Sequence, residues 1–322
     1  MTASDFKLQA GPATREGFGK ALAELGREDA RIVVCDADLS KSTHTHHFAK
    51  EFPDRFFSCG IAEANMVAVG AGLAASGKIA FVSSFSCFVL NKGFEQLRVT
   101  VAYPGVKNLK VVGTHSGISI GEDGPSQMSI EDIALACSLP GFVVIDPADD
   151  VSMRSLLRQA AYVDAPVFVR AGRSKAPAIY PAGASLEIGK SVELVPGTDV
   201  TIVAHGLLVA EAIRAAAVFE NEGVSVRVVD MHTIKPLDRD AIARAARETG
   251  AIVVAEEHLV DGGLGVRVAQ AAAETHPCIM EFLGIRDTYA ESGSPEAVMD
   301  KYDMVARGVI AAVRKALARK NG

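Results

Sequence analysis

The stretch Gly60-Ile61-Ala62-Glu63-Ala64-Asn65-Met66, which continues as Val67-Ala68-Val69-Gly70-Ala71-Gly72-Leu73-Ala74, places one carboxylate in a run of small and apolar residues. The run predicts a buried helix over about residues 62–75. Short β-branched runs at residues 31–35 and 79–82 flank it and predict buried strands. A strand, a helix and a second strand in this order predict a parallel pair of strands joined by a crossover helix.

The same alternation continues along the chain and predicts two consecutive α/β domains. Near-continuous apolar strands separated by helices favour a parallel sheet that is covered on both faces. The further strands are expected at residues 110–113, 142–146, 167–170, 200–204, 224–229, 251–255 and 279–282. The further helices are expected near residues 88–103, 209–219, 238–248 and 265–274, with another opening at residue 129.

A linker is expected at residues 176–184, because two prolines, a glycine and small residues fall together there. The predicted domains are therefore residues 1–183, with a parallel sheet, and a smaller α/β unit at residues 184–322. A chain of 322 residues, 49% of them hydrophobic, is long enough for two packed cores.

Composition argues against several classes of protein. The net charge of −6 offers no basic surface for nucleic acid. Five scattered cysteines without Cys-x-x-Cys spacing predict a reducing compartment, which we expect to be the cytoplasm. The amino-terminal residues do not have the pattern of a secretory signal, and no uncharged apolar stretch is long enough to predict a membrane span.

A glycine-rich segment at residues 113–127, Gly-Thr-His-Ser-Gly-Ile-Ser-Ile-Gly-Glu-Asp-Gly-Pro-Ser-Gln, follows a predicted strand and lacks helical or strand periodicity. Long loops after strands often carry function in α/β proteins. Together with Glu63 in its apolar setting and with Phe85-Ser86-Cys87-Phe88, this segment resembles transketolase. The resemblance extends from about residue 14 to the carboxyl terminus and covers the pyrimidine-binding and C-terminal domains of that thiamine-diphosphate enzyme.

The resemblance implies a cofactor site. Glu63 matches the glutamate that hydrogen-bonds the aminopyrimidine of thiamine diphosphate, and low polarity around it would strengthen that bond. Phe85 and Phe88, three residues apart at a helix start, match aromatic residues that hold the ring, although two core phenylalanines would give the same pattern. Asp38 and Gln127 match positions near the cofactor; Asp38 is equally compatible with a loop residue after a strand.

The resemblance also implies a site for phosphorylated sugars. His115 would contact the substrate carbonyl or hydroxyl groups and take part in catalysis, and Asp123 would bind a sugar hydroxyl unless it only forms an Asx turn. Arg15, Ser42, His115 and Arg173 match positions that bind the sugar phosphate. Arg173 follows a strand end, where open α/β sheets place ligands, but could be ordinary surface charge.

Three features depart from the pattern or stand outside it. Asn91 takes the place of a third pocket aromatic. Gln127 replaces the histidine of many transketolases, and an amide cannot transfer a proton. The run His44-Thr45-His46-His47 has no acidic or cysteine partner at a defined spacing, so we expect solvated side chains and no metal site.

The chain lacks the Gly-Asp-Gly and Asn-Asn motifs with which the family holds Mg²⁺ and the diphosphate. The resemblance therefore implies the second subunit of a split transketolase. An N-terminal subunit would carry those motifs, bind Mg²⁺ and share thiamine diphosphate. Self-association through the pyrimidine-binding and C-terminal domains would give an α2β2 assembly.

Three alternatives remain at this point. The β subunit of a 2-oxo-acid dehydrogenase E1 component has the same layout, but the loop around His115 and the phosphate-binding positions argue against it. A non-catalytic module derived from a transketolase half should have lost Glu63, His115 or Arg173. A deoxyxylulose-phosphate synthase fragment fits the Gly-Pro-Ser-Gln-Met run less well.

Overall fold

Two sheets and a two-stranded ribbon organise the chain in the computed structural model, which describes residues Met1–Gly322. The strands of the first part are β1 (Ala10–Ala13), β2 (Ile32–Asp36), β3 (Phe56–Ser58), β4 (Ile79–Phe85), β5 (Leu109–Thr114), β6 (Val143–Ile145), β7 (Val167–Arg170) and β8 (Lys175–Pro177). Its helices are α1 (Thr14–Glu28), α2 (Ser40–Thr43), α3 (His46–Glu51), α4 (Glu63–Ala75), α5 (Ser86–Gln96), α6 (Asp132–Ser138) and α7 (Asp150–Tyr162).

The second part begins with an edge strand and ends with a long helix. Its strands are β9 (Val192–Val195), β10 (Val200–Ala204), β11 (Val226–Asp230), β12 (Thr233–Lys235), β13 (Ala251–Leu259) and β14 (Ile279–Ile285). Its helices are α8 (Leu208–Asn221), α9 (Arg239–Thr249), α10 (Leu264–Thr275), α11 (Pro295–Lys301) and α12 (Ala306–Asn321).

The first sheet has the strand order β12-β6-β7-β5-β4-β2-β3 and the second the order β14-β13-β10-β11-β9. Both are parallel except at one edge, where β12 and β9 pair antiparallel with their neighbours. Every residue of β2, β4, β5 and β10 is buried, which explains why these strands have continuous apolar runs instead of alternating ones. The predicted fold class is confirmed.

The strand β12 shows that the two parts interlock. Its residues lie in the second part of the chain, yet β12 completes the edge of the first sheet by pairing with β6. The local sequence does not predict this strand, because three residues carry no periodicity and the pairing connects distant parts of the chain.

The predicted helix at residues 88–103 is two elements. The α-helix ends at Gln96, and a π-helical segment at Leu97–Ala102 follows it. The amides of Tyr103 and Val106 donate hydrogen bonds of 2.9 Å to carbonyls five residues earlier, those of Arg98 and Val101 respectively. The wider turn therefore replaces the end of the helix that the sequence pattern predicted.

The glycine-rich segment after β5 packs between the two parts of the chain. Its apolar side chains join a buried cluster with residues near and after β14, which contains Ile118, Ile120, Met128, Ile130, Ile285, Ala290, Val298 and Met304. The segment is thus an ordered loop with its own core, and the second part of the chain determines where its polar residues lie. None of the helices combines the length and apolar character that a bilayer crossing would require.

Candidate active site

The carboxylate of Glu63 lies at the first residue of α4 and is 2% exposed. Its Oε1 accepts a hydrogen bond from Ser84 Oγ at 3.1 Å. Its Oε2 lies 3.5 Å from Lys92 Nζ, which gives an ion pair without a hydrogen bond. The amino end of α4 also favours a negative charge here. Glu63 therefore keeps one oxygen that can accept a further hydrogen bond.

Phe85 and Phe88 lie side by side, as the sequence predicts. Phe85 ends β4 and Phe88 lies in the first turn of α5, with ring centroids 5.5 Å apart and planes 13° from parallel. Lys92, one turn later, places Nζ 4.4 Å from the Phe88 centroid and so connects this ring to Glu63. Lys92 was not among the residues predicted for the site, although its spacing from Phe88 places it on the same helix face.

The ring of His115 stacks on Phe85 with 3.7 Å between centroids. His115 Nε2 lies 2.9 Å from Arg15 Nη1, and Nδ1 lies 2.9 Å from Thr114 Oγ1. Because arginine can only donate, Nε2 is the acceptor and Nδ1 carries the proton. Burial, together with the positive charges of Arg15 and Arg173, lowers the pKa of His115 to about 2. The imidazole is therefore neutral at physiological pH.

Arg15 and Arg173 form a pair of neighbouring cations. Arg15 Nη1 also donates to the Ser42 carbonyl at 2.9 Å, while its buried Nε has no partner in the protein. Arg173 Nη1 donates to the carbonyl of Ile120 and to the Glu122 carboxylate. Burial and the charge of Arg173 lower the pKa of Arg15. Two neighbouring guanidinium groups with a spare donor can hold an anion.

The remaining candidate residues are more exposed or make fewer contacts with the rest of the site. Asp38 is exposed after β2, and no hydrogen bond or ion pair joins it to the other candidates. Asp123 is exposed, and its charge acts on Arg15. Gln127 is half-buried, and its carbonyl accepts a weak hydrogen bond from Cys87 Sγ at 3.2 Å.

The sheet register explains why Glu63 and His115 belong to one site. The strands β4 and β5 are adjacent and parallel, with Ser84 opposite Gly113 and Phe85 opposite Thr114. Ser84 holds Glu63, and the next residue, Phe85, stacks on the histidine that follows β5. Glu63, Phe85 and His115 therefore meet at the carboxyl edge of the first sheet, where open α/β sheets place ligands.

Sequence models of two adjacent domains match this chain. The model "Transketolase, pyrimidine binding domain" matches residues 10–178, and "Transketolase, C-terminal domain" matches residues 189–309. The chain belongs to the transketolase family.

Relatives of similar length support this membership. A Methanocaldococcus jannaschii protein, provisionally described as a transketolase C-terminal section, is 42% identical over 90% of this chain and 92% of its own length. A Clostridium protein described as a 6-deoxy-6-sulfo-D-fructose transketolase subunit is 37% identical over 95% of each chain. The solved structure "Split gene transketolase, inactive beta4 tetramer" has 46% identity and a TM-score of 0.88, covering 96% of this chain and 99% of that one.

The C-terminal transketolase domain positions the loop that carries His115, a contribution that sequence analysis missed. Glu257 is buried in β13, and its carboxylate accepts a hydrogen bond from the Ser119 amide. Gly117 has φ of 78°, and a Cβ there would lie 2.2 Å from the Glu257 carboxyl group. Only glycine allows this close approach, so the Gly117 position and Glu257 depend on each other.

A second group of buried charges lies between the two domains. We define the interdomain cluster as Asp132, Asp146, Arg170, His205 and Glu256. Arg170 binds Asp132 at 2.9 Å, Asp146 at 3.0 Å and two backbone carbonyls. His205 Nδ1 lies 2.7 Å from Asp146, and Nε2 lies 3.8 Å from Glu256. Burial would lower the pKa of His205, but these two carboxylates raise it to about 9.

Proposed function

We propose that this chain is the C-terminal subunit of a split transketolase, with its domain boundary near residue 183. With a separate N-terminal subunit it moves a two-carbon ketol unit from a ketose phosphate to an aldose phosphate. The observation that carries this proposal is the continuous arrangement from buried Glu63, through the stacked Phe85 and Phe88, to the pair His115 and Arg15.

The residues present fit the aminopyrimidine of thiamine diphosphate. The free oxygen of Glu63 can accept a hydrogen bond from a ring nitrogen, and Phe88 offers a half-buried aromatic face beside it. When bound, thiamine diphosphate supplies a carbanion equivalent that adds to the ketose carbonyl. Glu63 would hold a proton at the ring nitrogen, and the apolar surroundings would exclude water from that hydrogen bond. We place Asp38 and Gln127 at the margin of this pocket.

The neutral imidazole of His115 would bind and orient a substrate hydroxyl or carbonyl group. Its Nε2 lone pair is taken by Arg15 in the structure, so a substrate hydroxyl would compete with that guanidinium. With Nδ1–H held by Thr114, His115 presents Nε2 as a hydrogen-bond acceptor, and its lowered pKa suits it to orient the substrate as a neutral group. Asp123 would contribute a further contact to a sugar hydroxyl.

Arg15 and Arg173, with Ser42 beside them, would bind the anionic end of the sugar. The mutual repulsion of the two guanidinium groups and the unpartnered Nε of Arg15 support an anion between them. The description of the Clostridium relative names a sulfo sugar, and a sulfonate presents similar oxygens. We propose phosphate for this chain, and a sulfonate donor is a useful comparison in the assay.

The assembly that we propose is α2β2. The sequence carries no Gly-Asp-Gly and Asn-Asn motifs, so the partner would hold Mg²⁺ and the diphosphate of the shared cofactor. The description of the solved relative as an inactive β4 tetramer supports both self-association of this subunit and the need for a partner.

Reconstitution tests this function. The chain is combined with an N-terminal transketolase subunit, thiamine diphosphate and Mg²⁺, and a ketose phosphate donor is supplied with an aldose phosphate acceptor. We expect product elongated by two carbons, measured by mass spectrometry with a ¹³C-labelled donor. Pyruvate with a lipoyl acceptor or an artificial electron acceptor is the parallel substrate set.

Turnover of pyruvate without ketol transfer would identify a 2-oxo-acid dehydrogenase subunit instead. A stable complex that binds the cofactor but turns over neither substrate set would identify a non-catalytic module. Either result would contradict the proposal.

A further inference from the structure

Three imidazole rings gather on the segment that follows β2. The candidate ligand nitrogens of His44, His46 and His47 all lie within 4.8 Å of one another. Ring centroids are 4.1 Å apart for His46 and His47, and 5.6 and 5.7 Å from His44 to these two. All three side chains are half-buried. The sequence alone predicted solvated side chains and no metal site here.

A buried carboxylate holds the backbone beneath these rings. Asp36 is fully buried, and its Oδ2 accepts hydrogen bonds from the hydroxyls of Thr43 and Thr45, each at 2.8 Å. Its Oδ1 accepts the Leu39 amide at 2.6 Å. The two threonines flank His44, which adopts the left-handed conformation with φ of 65°. This backbone conformation is uncommon for residues other than glycine, and the bonds to Asp36 fix it.

The nitrogens of the cluster are available as ligands. His46 Nδ1 lies 3.1 Å from the Ser40 carbonyl, and donating its proton there leaves the lone pair on Nε2. His44 Nδ1 is buried and has no partner in the protein. Neutral imidazole is the form that binds metal.

We propose that His44, His46 and His47 form a binding site for a divalent transition-metal ion of the zinc class. Zinc–nitrogen bonds of about 2.0–2.1 Å place tetrahedral ligand atoms about 3.4 Å apart, so ligand nitrogens that lie up to 4.8 Å apart need to close by up to about 1.4 Å. Rotation about the two side-chain torsions of histidine supplies such shifts. Three nitrogen donors select zinc, nickel or copper over magnesium and calcium, and they leave one coordination position open.

The site lies next to the candidate anion-binding arginine. Ser42 belongs to the same segment, and its carbonyl accepts the hydrogen bond from Arg15. An ion bound by the three histidines would tie His44 to α3 and so fix the segment that supports Arg15. The proposal does not depend on ketol transfer, because it concerns only the ligand set of this chain.

Metal binding to the untagged full chain tests the proposal. The protein is stripped with a chelator, and Zn²⁺ or Co²⁺ is titrated by calorimetry and by equilibrium dialysis with elemental analysis. We expect one ion per chain, and a visible Co²⁺ spectrum without a thiolate charge-transfer band. His46→Asn and His47→Asn should each lower the affinity at least about tenfold. His276→Asn, which removes an exposed and isolated histidine, should leave it unchanged.

The wild-type protein provides a second measurement that does not depend on folded variants. The chain has eight histidines, and Zn²⁺ should shift the side-chain nuclear magnetic resonance signals of His44, His46 and His47 alone. The proposal is overturned if the chain retains no stoichiometric ion, or if a thiolate band identifies cysteine ligands. It is also overturned if the folded His46→Asn and His47→Asn variants bind as tightly as the wild type.

Discussion

Arg170 and Arg15 lie in two polar regions of the same domain and differ in how many of their hydrogen-bond donors have partners in the protein. Arg170 is 3% exposed and makes four hydrogen bonds, two to carboxylates and two to carbonyls. Arg15 is half-buried, shares one nitrogen between the Ser42 carbonyl and His115, and leaves its buried Nε unpaired. A buried arginine whose three nitrogens all have partners is part of the scaffold, whereas one with an unpaired nitrogen can bind a ligand.

The same contrast applies to the carboxylates. Asp146 in the interdomain cluster is bonded to Arg170 and His205, and these cations lower its pKa although burial would raise it. Glu63 has one hydrogen bond, from Ser84, and a longer ion pair to Lys92. The comparison predicts that substitutions in the interdomain cluster change stability, while those around Glu63 and Arg15 change activity or binding.

The largest effect is expected for Glu63→Gln. Glutamine keeps the size of the side chain but cannot share a proton with the pyrimidine nitrogen, so the reconstituted complex should lose about 10²–10⁴-fold in kcat. Steady-state kinetics measure this loss, and thermal unfolding should stay close to that of the wild type. Glu95→Gln, an exposed change on α5, is the control. Near-normal turnover by Glu63→Gln would mean that this carboxylate belongs to the scaffold.

Arg170→Met should instead lower the stability of the protein. Removing the guanidinium leaves Asp132 and Asp146 buried without their main partner, and breaking a buried ion pair costs about 3–5 kcal/mol. Chemical denaturation measures the free energy of unfolding. Arg158→Met on the surface removes pairs with Glu24 and Glu28 and should cost no more than about 1 kcal/mol. If Arg170→Met and Arg158→Met lost equal free energies of unfolding, the interdomain cluster would not have the structural role that the comparison gives it.

Arg173→Ala should raise KM for phosphorylated sugars far more than it lowers kcat. A charge-assisted hydrogen bond contributes about 1.5–3 kcal/mol, or about 10–150-fold in kcat/KM. A contact to a remote phosphate is equal in the ground and transition states, so its loss appears in KM. Hydroxypyruvate, which has no phosphate, is the substrate control.

Glu122→Gln is the matched variant, since it removes the acid that pairs with Arg173 but leaves the guanidinium in place. It should change KM less than Arg173→Ala does. An equal loss of kcat/KM with hydroxypyruvate and with the sugar phosphate in Arg173→Ala would assign Arg173 to the structure or to catalysis, and not to phosphate binding.

The smallest expected effect is a pH dependence of stability from the interdomain cluster. Asp146 and Glu256 raise the pKa of His205 to about 9 against burial, so the folded protein holds this proton more tightly than the unfolded chain. The protonated His205 therefore adds to the free energy of unfolding, by at most about 3 kcal/mol. This stabilisation is fully present below the pKa of about 6.5 in the unfolded chain, and it is lost as the pH rises through about 9.

Denaturation at pH 6.5, 8 and 9.5 measures this effect. His205→Asn should remove the decrease in unfolding free energy over that range, whereas His276→Asn should keep it. A decrease that survives in His205→Asn would assign the pH dependence to other groups.

The sequence predicted helix α4 from its run of small and apolar residues, and the spacing of Phe85 and Phe88 predicted that they share a face. Only the resemblance to transketolase assigned Glu63, Phe85 and Phe88 to a cofactor site, and that assignment stays a prediction. The position of Glu257 against Ser119 joins residues 138 apart, and no local pattern reports such a contact. The same holds for β12, which the sequence assigned to no sheet.

The histidine segment shows the same limit. His44, His46 and His47 are adjacent in sequence, but their convergence depends on the buried Asp36 and on a left-handed residue. Neither condition can be derived from the spacing of the histidines. Tertiary hydrogen bonds to a neighbouring strand end determine where these rings point.

Cofactor binding by the isolated chain tests most directly whether this subunit holds half of a shared site. Isothermal titration with thiamine diphosphate and Mg²⁺ is carried out on the chain alone and after addition of the N-terminal subunit. We expect no stoichiometric binding by the chain alone, because it lacks the Mg²⁺–diphosphate motifs, and one cofactor per pair of subunits in the complex. Tight stoichiometric binding by the isolated chain would contradict the shared site.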